Sequence, residues 1–505
     1  MQDTDDADLE QFGYAQKLDR TIGLFTSFCV SFSMVSVTTA SFTLFGDPFT
    51  KIGGVGIWLW FPATLFGLVI AAVYGHLAAR VPVTGYAYQW SSRLLSPHVG
   101  WFTGWFALCA FFAGTASIAV AIGSVFAGEL FSDPTQGDVQ LIGAIAVVVA
   151  VAFNAAGIRY ATHVNNVGAT TELVGTIGMG LIVAVGLFFF KDKAGVEILF
   201  DTDPVGGGSI DLTVLGLAAL LPVTTLLGWE GAADLAEETK DPRRVAPKAM
   251  LRAVAISGSV GCLIFAVFAM AIPHGPAALV NGDENPLFAL FGQQFGTGFA
   301  TIAKVVVFIS MFACLLANLT VATRMAFSLA RDRMIPGSRV LANVNAKTRI
   351  PLASLLLVGV VAFALNFVSA GIASRIFAIV AVMYYGTYLM TMIVARVARR
   401  RGTLGDAPPG TFDLGRWLGP ATVLGIVWCL LVIGYMTIPK ANHLAAEYSL
   451  GAVALGVLQW VFVLRRRIDR GEAGPPMASS EALRAAEHAD PVRAPDPAAA
   501  LDAAD

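Results

Sequence analysis

Apolar residues in this chain come in twelve blocks of 15–29 residues, and that grouping constrains the fold more than any other feature. A helix rises ~1.5 Å per residue, so each block matches the ~30 Å hydrocarbon layer of a bilayer. The blocks are Ile22–Phe45, Gly56–Ala79, Val99–Phe126, Val139–Ala156, Val167–Phe190, Leu212–Leu235, Ala253–Ile272, Phe299–Phe327, Pro351–Phe367, Ile376–Ala395, Leu418–Tyr435 and Leu450–Leu464. A transmembrane β-barrel would show ~10-residue alternating segments instead. Charged residues make up 13% of the chain, against roughly 25% in a soluble one. The reading is an all-α integral membrane protein of about 12 helices, surrounded by lipid. Nothing in a net charge of −2 points to nucleic acid.

Lysine and arginine placement sets the expected orientation. With both termini cytoplasmic, all but six of the 33 basic residues fall on the inner side. The six are Lys51, Lys191, Lys193, Lys304, Arg375 and Lys440. The acidic start has no basic region ahead of an apolar core and does not read as a cleavable signal. A cell or inner membrane location follows, with residues 1–20 as a cytoplasmic segment, 21–400 as a ten-helix core, 401–465 as two further helices and 466–505 as a disordered cytoplasmic tail. Arg80–Pro97 reads as a short interfacial helix, and the loop after the seventh block as a short capping or re-entrant helix. The five cysteines all lie inside blocks without metal or disulfide spacing, and read as small core residues.

Two blocks carry signs of interruption. The first contains the small, hydroxylated run Ser31 to Ser41; the sixth contains Pro222-Val223-Thr224-Thr225-Leu226-Leu227-Gly228-Trp229-Glu230-Gly231. In lipid a broken backbone persists only where protein or a watery cavity satisfies it. If the first ten helices form two sets of five, these two are the first of each set, and an odd number per set inverts one half. Paired interruptions at corresponding positions point to a carrier's site near the midplane.

Acids inside the blocks are few. Glu172 and Glu230 each sit about 7–8 Å along the helix axis from the inner boundary of their blocks. A buried carboxylate that takes a proton on one side and releases it on the other can couple transport to a proton. The sequence has no phosphate-binding G-x-x-x-x-G-K-[ST], no H-E-x-x-H and no Cys/His metal spacing, so neither an enzyme nor a cofactor is expected. Asp234, Glu237 and Glu238, followed by Lys240, Arg243 and Arg244, read as a charged gate or packing network. Lys304 and Arg324 read as snorkelling cations.

The run GWEGAADLAEETKDPRRVAPKAM (Gly228–Met250) resembles the sixth-helix signature of the amino acid–polyamine–organocation permeases. VPVTGYAYQWSSRLLSPHVGWFTGW after the second block and TRMAFSLARDRMIP (Thr323–Pro336) agree with it. SVTTASFTLFG and NNVGATTELVG are most similar to the amino acid/choline branch, which includes γ-aminobutyrate and choline permeases. The resemblance implies a five-plus-five inverted-repeat fold, broken first and sixth helices and alternating access. It places the substrate on Ser36, Val37, Thr38, Thr39, Ala40, Thr224, Thr225, Leu227, Gly228 and Trp229, with the N–H groups of Thr38-Thr39-Ala40 facing a substrate carboxylate. Glu230 and Glu172 are the implied proton-coupling acids. The expected partners are a small-molecule amino acid or amine and a proton, with an ω-amino acid such as γ-aminobutyrate favoured. A choline, ethanolamine or polyamine carrier, or a non-transporting nutrient sensor on the same fold, stays open.

Overall fold

The computed structural model describes residues 9–207, 211–280, 284–368 and 373–476, apart from the side chains at 212–213, 279, 373–375 and 441. Ten helices among them are long and apolar enough to cross a membrane. Two more complete the twelve: the sixth, cut into Leu212–Ala218, Leu220–Thr225 and Gly231–Asp234, and the ninth, Leu352–Val368. The only β-contact among the described residues is a bridge between Ile22 and Thr239.

Local chemistry starts and stops these helices where the sequence supplies caps. Ser96 accepts from the Val99 amide ahead of the third span, Pro97–Leu130, with proline at its first position. Thr135 and Asp138 cap the fourth, Gln136–Ala155, reciprocally. Several helices run past the apolar blocks, because polar turns stay helical beyond the hydrocarbon. The fifth, Ile158–Gly186, begins nine residues before its apolar block. Glu172 therefore lies at the middle of the helix and not near its inner end.

The spans pair as two inverted sets of five would. The second packs on the seventh, the third on the eighth and the fourth on the ninth, while the fifth meets the eighth as the tenth meets the third. The eleventh and twelfth, Leu418–Thr437 and His443–Gln459, both lean on the tenth. Large apolar side chains such as Phe188, Phe189 and Phe462 stay exposed on the perimeter, as a lipid-facing surface requires.

Three expectations shift. The segment after the second span forms a helix, Tyr86–Leu94, that is buried against the third span and not laid at the interface. The amino-terminal segment is packed from Leu9 onward, with Leu9, Tyr14 and Leu18 buried. The final helix continues through Arg465–Asp469, and Gly474 donates to the Asp332 carbonyl at 2.9 Å, so the chain stays ordered to Pro476. Residues 1–8 and the rest of the tail, 477–505, lie outside the described residues.

Candidate functional site

The first span breaks at Ser36, between helices Leu24–Val35 and Val37–Leu44. Ser36 has φ 34° and ψ 82°, a left-handed conformation that costs a non-glycine residue energy. Its side chain offsets that cost: Ser36 Oγ accepts from the Thr39 amide at 3.2 Å and donates to Glu172 Oε1 at 3.0 Å. The sixth span breaks between Thr225 and Gly231. Gly228 has φ +84°, and a Cβ there would meet Met34 Cβ at 3.0 Å. The two breaks therefore touch, Gly228 against Met34, two residues before the first-span break.

A small cavity of about 60 Å³ lies between them. Ser36, Thr39 and Ala40 line it from the first span, Thr224 and Leu227 from the sixth, and Gly114 and Ser117 from the third. Cys314 and Asn318 of the eighth and Phe377, Val380 and Tyr384 of the tenth line it too, with Met34, Val35 and Ile118 closing the remainder. Tyr384 and Phe377 bring aromatic rings to the cavity wall from the tenth span, which sequence reasoning missed.

Five of the expected site residues do not line this cavity. Val37 and Thr225 are buried in helix packing. Thr38 points its hydroxyl to Thr176, 2.6 Å away. Gly228 contributes conformation, and Trp229 is fully buried below, stacked on Tyr388 with centroids 5.3 Å apart. The N–H groups expected to face a substrate carboxylate are already used. Thr38 N donates to Glu172 Oε1 at 3.2 Å, Thr39 N to Ser36 Oγ at 3.2 Å, and Ala40 N to the Ser36 carbonyl at 3.2 Å.

Glu172 and Glu230 are both fully buried but serve different helix breaks. Glu172 binds the first-span break, while Glu230 Oε2 accepts from Tyr388 Oη of the tenth span at 2.8 Å. Tyr74 packs edge-on to both Trp229 and Tyr388, closing an aromatic box under Glu230. No hydrogen bond joins the two acids among the described residues.

Toward the face where the described ends of the chain, Leu9 and Pro476, lie, the acidic end of the sixth span is sealed and not solvated. Arg324, expected to snorkel, is fully buried and holds Glu238 with two bonds, 2.9 and 2.8 Å. Arg331 bonds Glu237 at 2.9 Å, and the Gly85 amide donates to Asp234 at 2.6 Å. Tyr14, from the amino-terminal segment, donates to Asp332, lies under the Arg331 guanidinium 3.6 Å from the ring centroid, and is joined there by Tyr88. Burial first, and Asp332 second, push the Tyr14 phenol above its ordinary range, so it stays protonated and donating. On the opposite face a helix, Pro286–Phe295, caps the bundle. Asn285 Nδ2 donates to the Phe42 carbonyl at 2.7 Å, and Phe42 packs on Phe288 with centroids 5.0 Å apart.

Two discontinuous helices meeting around a central cavity, with a closure on each side, define a membrane permease. The chain belongs to a family described as amino acid permeases, whose model matches residues 22–459. It is 24% identical to the amino-acid permease BAT1 of Arabidopsis thaliana, over 92% of this chain and 96% of that protein. The uncharacterized amino-acid permease C74.04 of Schizosaccharomyces pombe is 26% identical, over 92% and 86%. The low-affinity putrescine importer PlaP of Escherichia coli is 26% identical, over 73% and 82%. These relatives are named as transporters, and this chain is a transporter, not an enzyme.

Proposed function

We propose that this chain is a secondary carrier for an amino acid or small amine, working by alternating access around the cavity between the two helix breaks. The observation that carries the reading is the meeting of Gly228 with Met34 at that cavity. Unwound backbone at mid-membrane is tolerated where it lines such a cavity, and it is the usual place for a carrier's ligand. The Arg324–Glu238 and Tyr14–Asp332 closure on one face, and the Asn285–Phe42 closure on the other, are the two gates such a cycle opens in turn.

The face bearing both termini is cytoplasmic in this reading, in a cell membrane, as the lysine and arginine distribution favours. The substrate contacts are Ser36, Thr39, Ala40, Thr224 and Leu227. Val37, Thr38, Thr225, Gly228 and Trp229 hold the breaks in shape. Glu230 and Glu172 are the acids that exchange a proton or balance substrate charge. An ω-amino acid such as γ-aminobutyrate and an amine such as putrescine or choline are the two substrate classes to separate.

Purified protein in liposomes tests this directly. Saturable uptake from such a panel, altered by an imposed pH gradient and lost or uncoupled in Glu230→Gln, is the expected result. Normal pH-dependent uptake by that variant removes Glu230 from the mechanism, and no saturable uptake of any member removes the carrier reading.

A further inference from the structure

We infer that the cavity is built for a cationic amine that brings no carboxylate of its own to the first-span break, because Glu172 already occupies the N–H groups where that carboxylate would sit. The inference deepens the carrier reading and rests on it.

The first amides of a helix carry unsatisfied N–H groups and the positive end of the helix dipole, so they attract an anion. In the helix Val37–Leu44 that anion is part of the protein. Glu172 Oε1 takes the Thr38 amide and the Ser36 hydroxyl, while Thr39 N is turned to Ser36 Oγ. A second carboxylate arriving here would find its donors taken and, with Glu172 ionised, a like charge beside them in a buried site.

The rest of the cavity agrees. Among the described residues its lining contains no lysine, arginine or histidine. The buried cation nearest in function, Arg324, is committed to Glu238. Ser117 Oγ donates to the Gly114 carbonyl at 2.9 Å and Thr224 Oγ1 to the Leu220 carbonyl at 2.7 Å. Hydroxyls whose hydrogens are spent on backbone present lone pairs, which suit an ammonium donor. Tyr384 and Phe377 add aromatic rings, which a cation favours. On the opposite face, a wide pocket of about 970 Å³ is bordered, among the described residues, by the acids Glu129, Asp133 and Glu284 and the single cation Lys304. An excess of acid on that face raises the local concentration of cations there.

Matched pairs differing by one carboxylate test the inference: putrescine against ornithine, and ethanolamine against serine. Each is offered to the purified full chain, read by thermal stabilisation and by competition for uptake into liposomes. The amine of each pair is expected to act at a concentration about tenfold or more below its carboxylated partner, since like charges placed together are strongly disfavoured. Glu172→Gln is expected to shrink that gap, while Glu172→Asp, which keeps the charge, retains it. Preference for the carboxylated members, or a gap unchanged in Glu172→Gln, overturns the inference and leaves the carrier standing. Should Glu172→Gln fail to fold, the unsubstituted chain's preference within each pair still decides. Absence of binding and uptake for every member overturns the carrier reading itself, and this inference with it.

Discussion

Glu172 Oε1 lies 3.2 Å from the amide nitrogen of Thr38, so a side chain of the fifth span completes the first turn of the helix that follows the first-span break. The break thus depends on a partner more than a hundred residues away in sequence. Ser36 holds the near side of the same arrangement. Replacing Ser36 by valine removes three side-chain contacts, to Glu172 and to both the amide and the hydroxyl of Thr39. It also places a β-branched residue at positive φ. We expect Ser36→Val to lower stability by about 2–4 kcal/mol and to abolish uptake. Ser36→Gly relieves the backbone and should be milder. Thermal melting in detergent of both variants checks the order.

Gly228 allows a second prediction with a built-in control. Alanine there meets Met34 and must also adopt φ +84°. The left-handed cost, roughly 1–2 kcal/mol, remains even if the clash is removed. Gly228→Ala is therefore expected to reduce both melting temperature and uptake, and adding Met34→Ala is expected to recover only part. Full recovery in the double variant would mean that the clash alone matters.

Much of this arrangement was readable from the chain before its structure. Apolar block length is set by the bilayer, so twelve spans appeared directly, and Gly228-Trp229-Glu230-Gly231 marked a break because glycine and a charge are costly mid-span. The run Ser31 to Ser41 brackets the first-span break but does not single out Ser36, because serine is no usual left-handed residue. Its conformation is held by Glu172, a tertiary partner that no local pattern reveals. The same holds for Arg324. A cation near a helix end ordinarily snorkels, and only the fold brings Glu238 to it. Tyr384 was missed for a related reason, since nothing in an apolar tenth span separates a cavity-lining tyrosine from a packed one.

The Arg324–Glu238 pair gives a third prediction. Both side chains are fully buried. Removing one partner leaves an uncompensated charge, at a cost of about 3–5 kcal/mol, whereas replacing both with apolar residues is often neutral. Arg324→Leu alone should fail to melt cooperatively or melt much lower than the unsubstituted protein. Arg324→Leu with Glu238→Leu should recover stability. If the pair is also a gate, the recovered double variant will transport abnormally despite its restored melting temperature.

A pH prediction comes from the loop before the eleventh span. Asp413 accepts from the Gly415 amide and pairs with Arg80 and His76, at 3.3 and 3.0 Å. The Gly415 amide first, then Arg80 and His76, hold its carboxyl below the ordinary carboxylate range. A depressed acid stabilises the fold above its unfolded pKa, and that contribution disappears as pH falls through the folded one. Asp413 is largely exposed, so the effect is small, under about 1 kcal/mol. Asp413→Asn should therefore melt slightly lower than the unsubstituted protein near pH 7, with the difference closing only below about pH 4.

Cys314 offers the most direct view of the cavity in solution. Its Sγ lies 3.8 Å from the Met34 carbonyl, beside the first-span break, and it is buried on the cavity wall. Of the five cysteines, it alone is among the lining residues. With both faces closed, a water-soluble thiol reagent should react with it slowly. Loosening the terminus-bearing closure with Tyr14→Phe, which removes the hydroxyl bonded to Asp332, should speed modification from that face. A bound substrate should slow it by occupying the same space. The measurement uses a variant retaining Cys314 with the other four cysteines replaced by serine or alanine, labelled in liposomes from either side. Faster labelling in Tyr14→Phe from the terminus-bearing side only identifies the amino-terminal segment as part of that gate. Equal labelling from both sides, with no response to Tyr14→Phe, would place Cys314 on a permanently open route and leave the Tyr14–Asp332 contact a purely structural one.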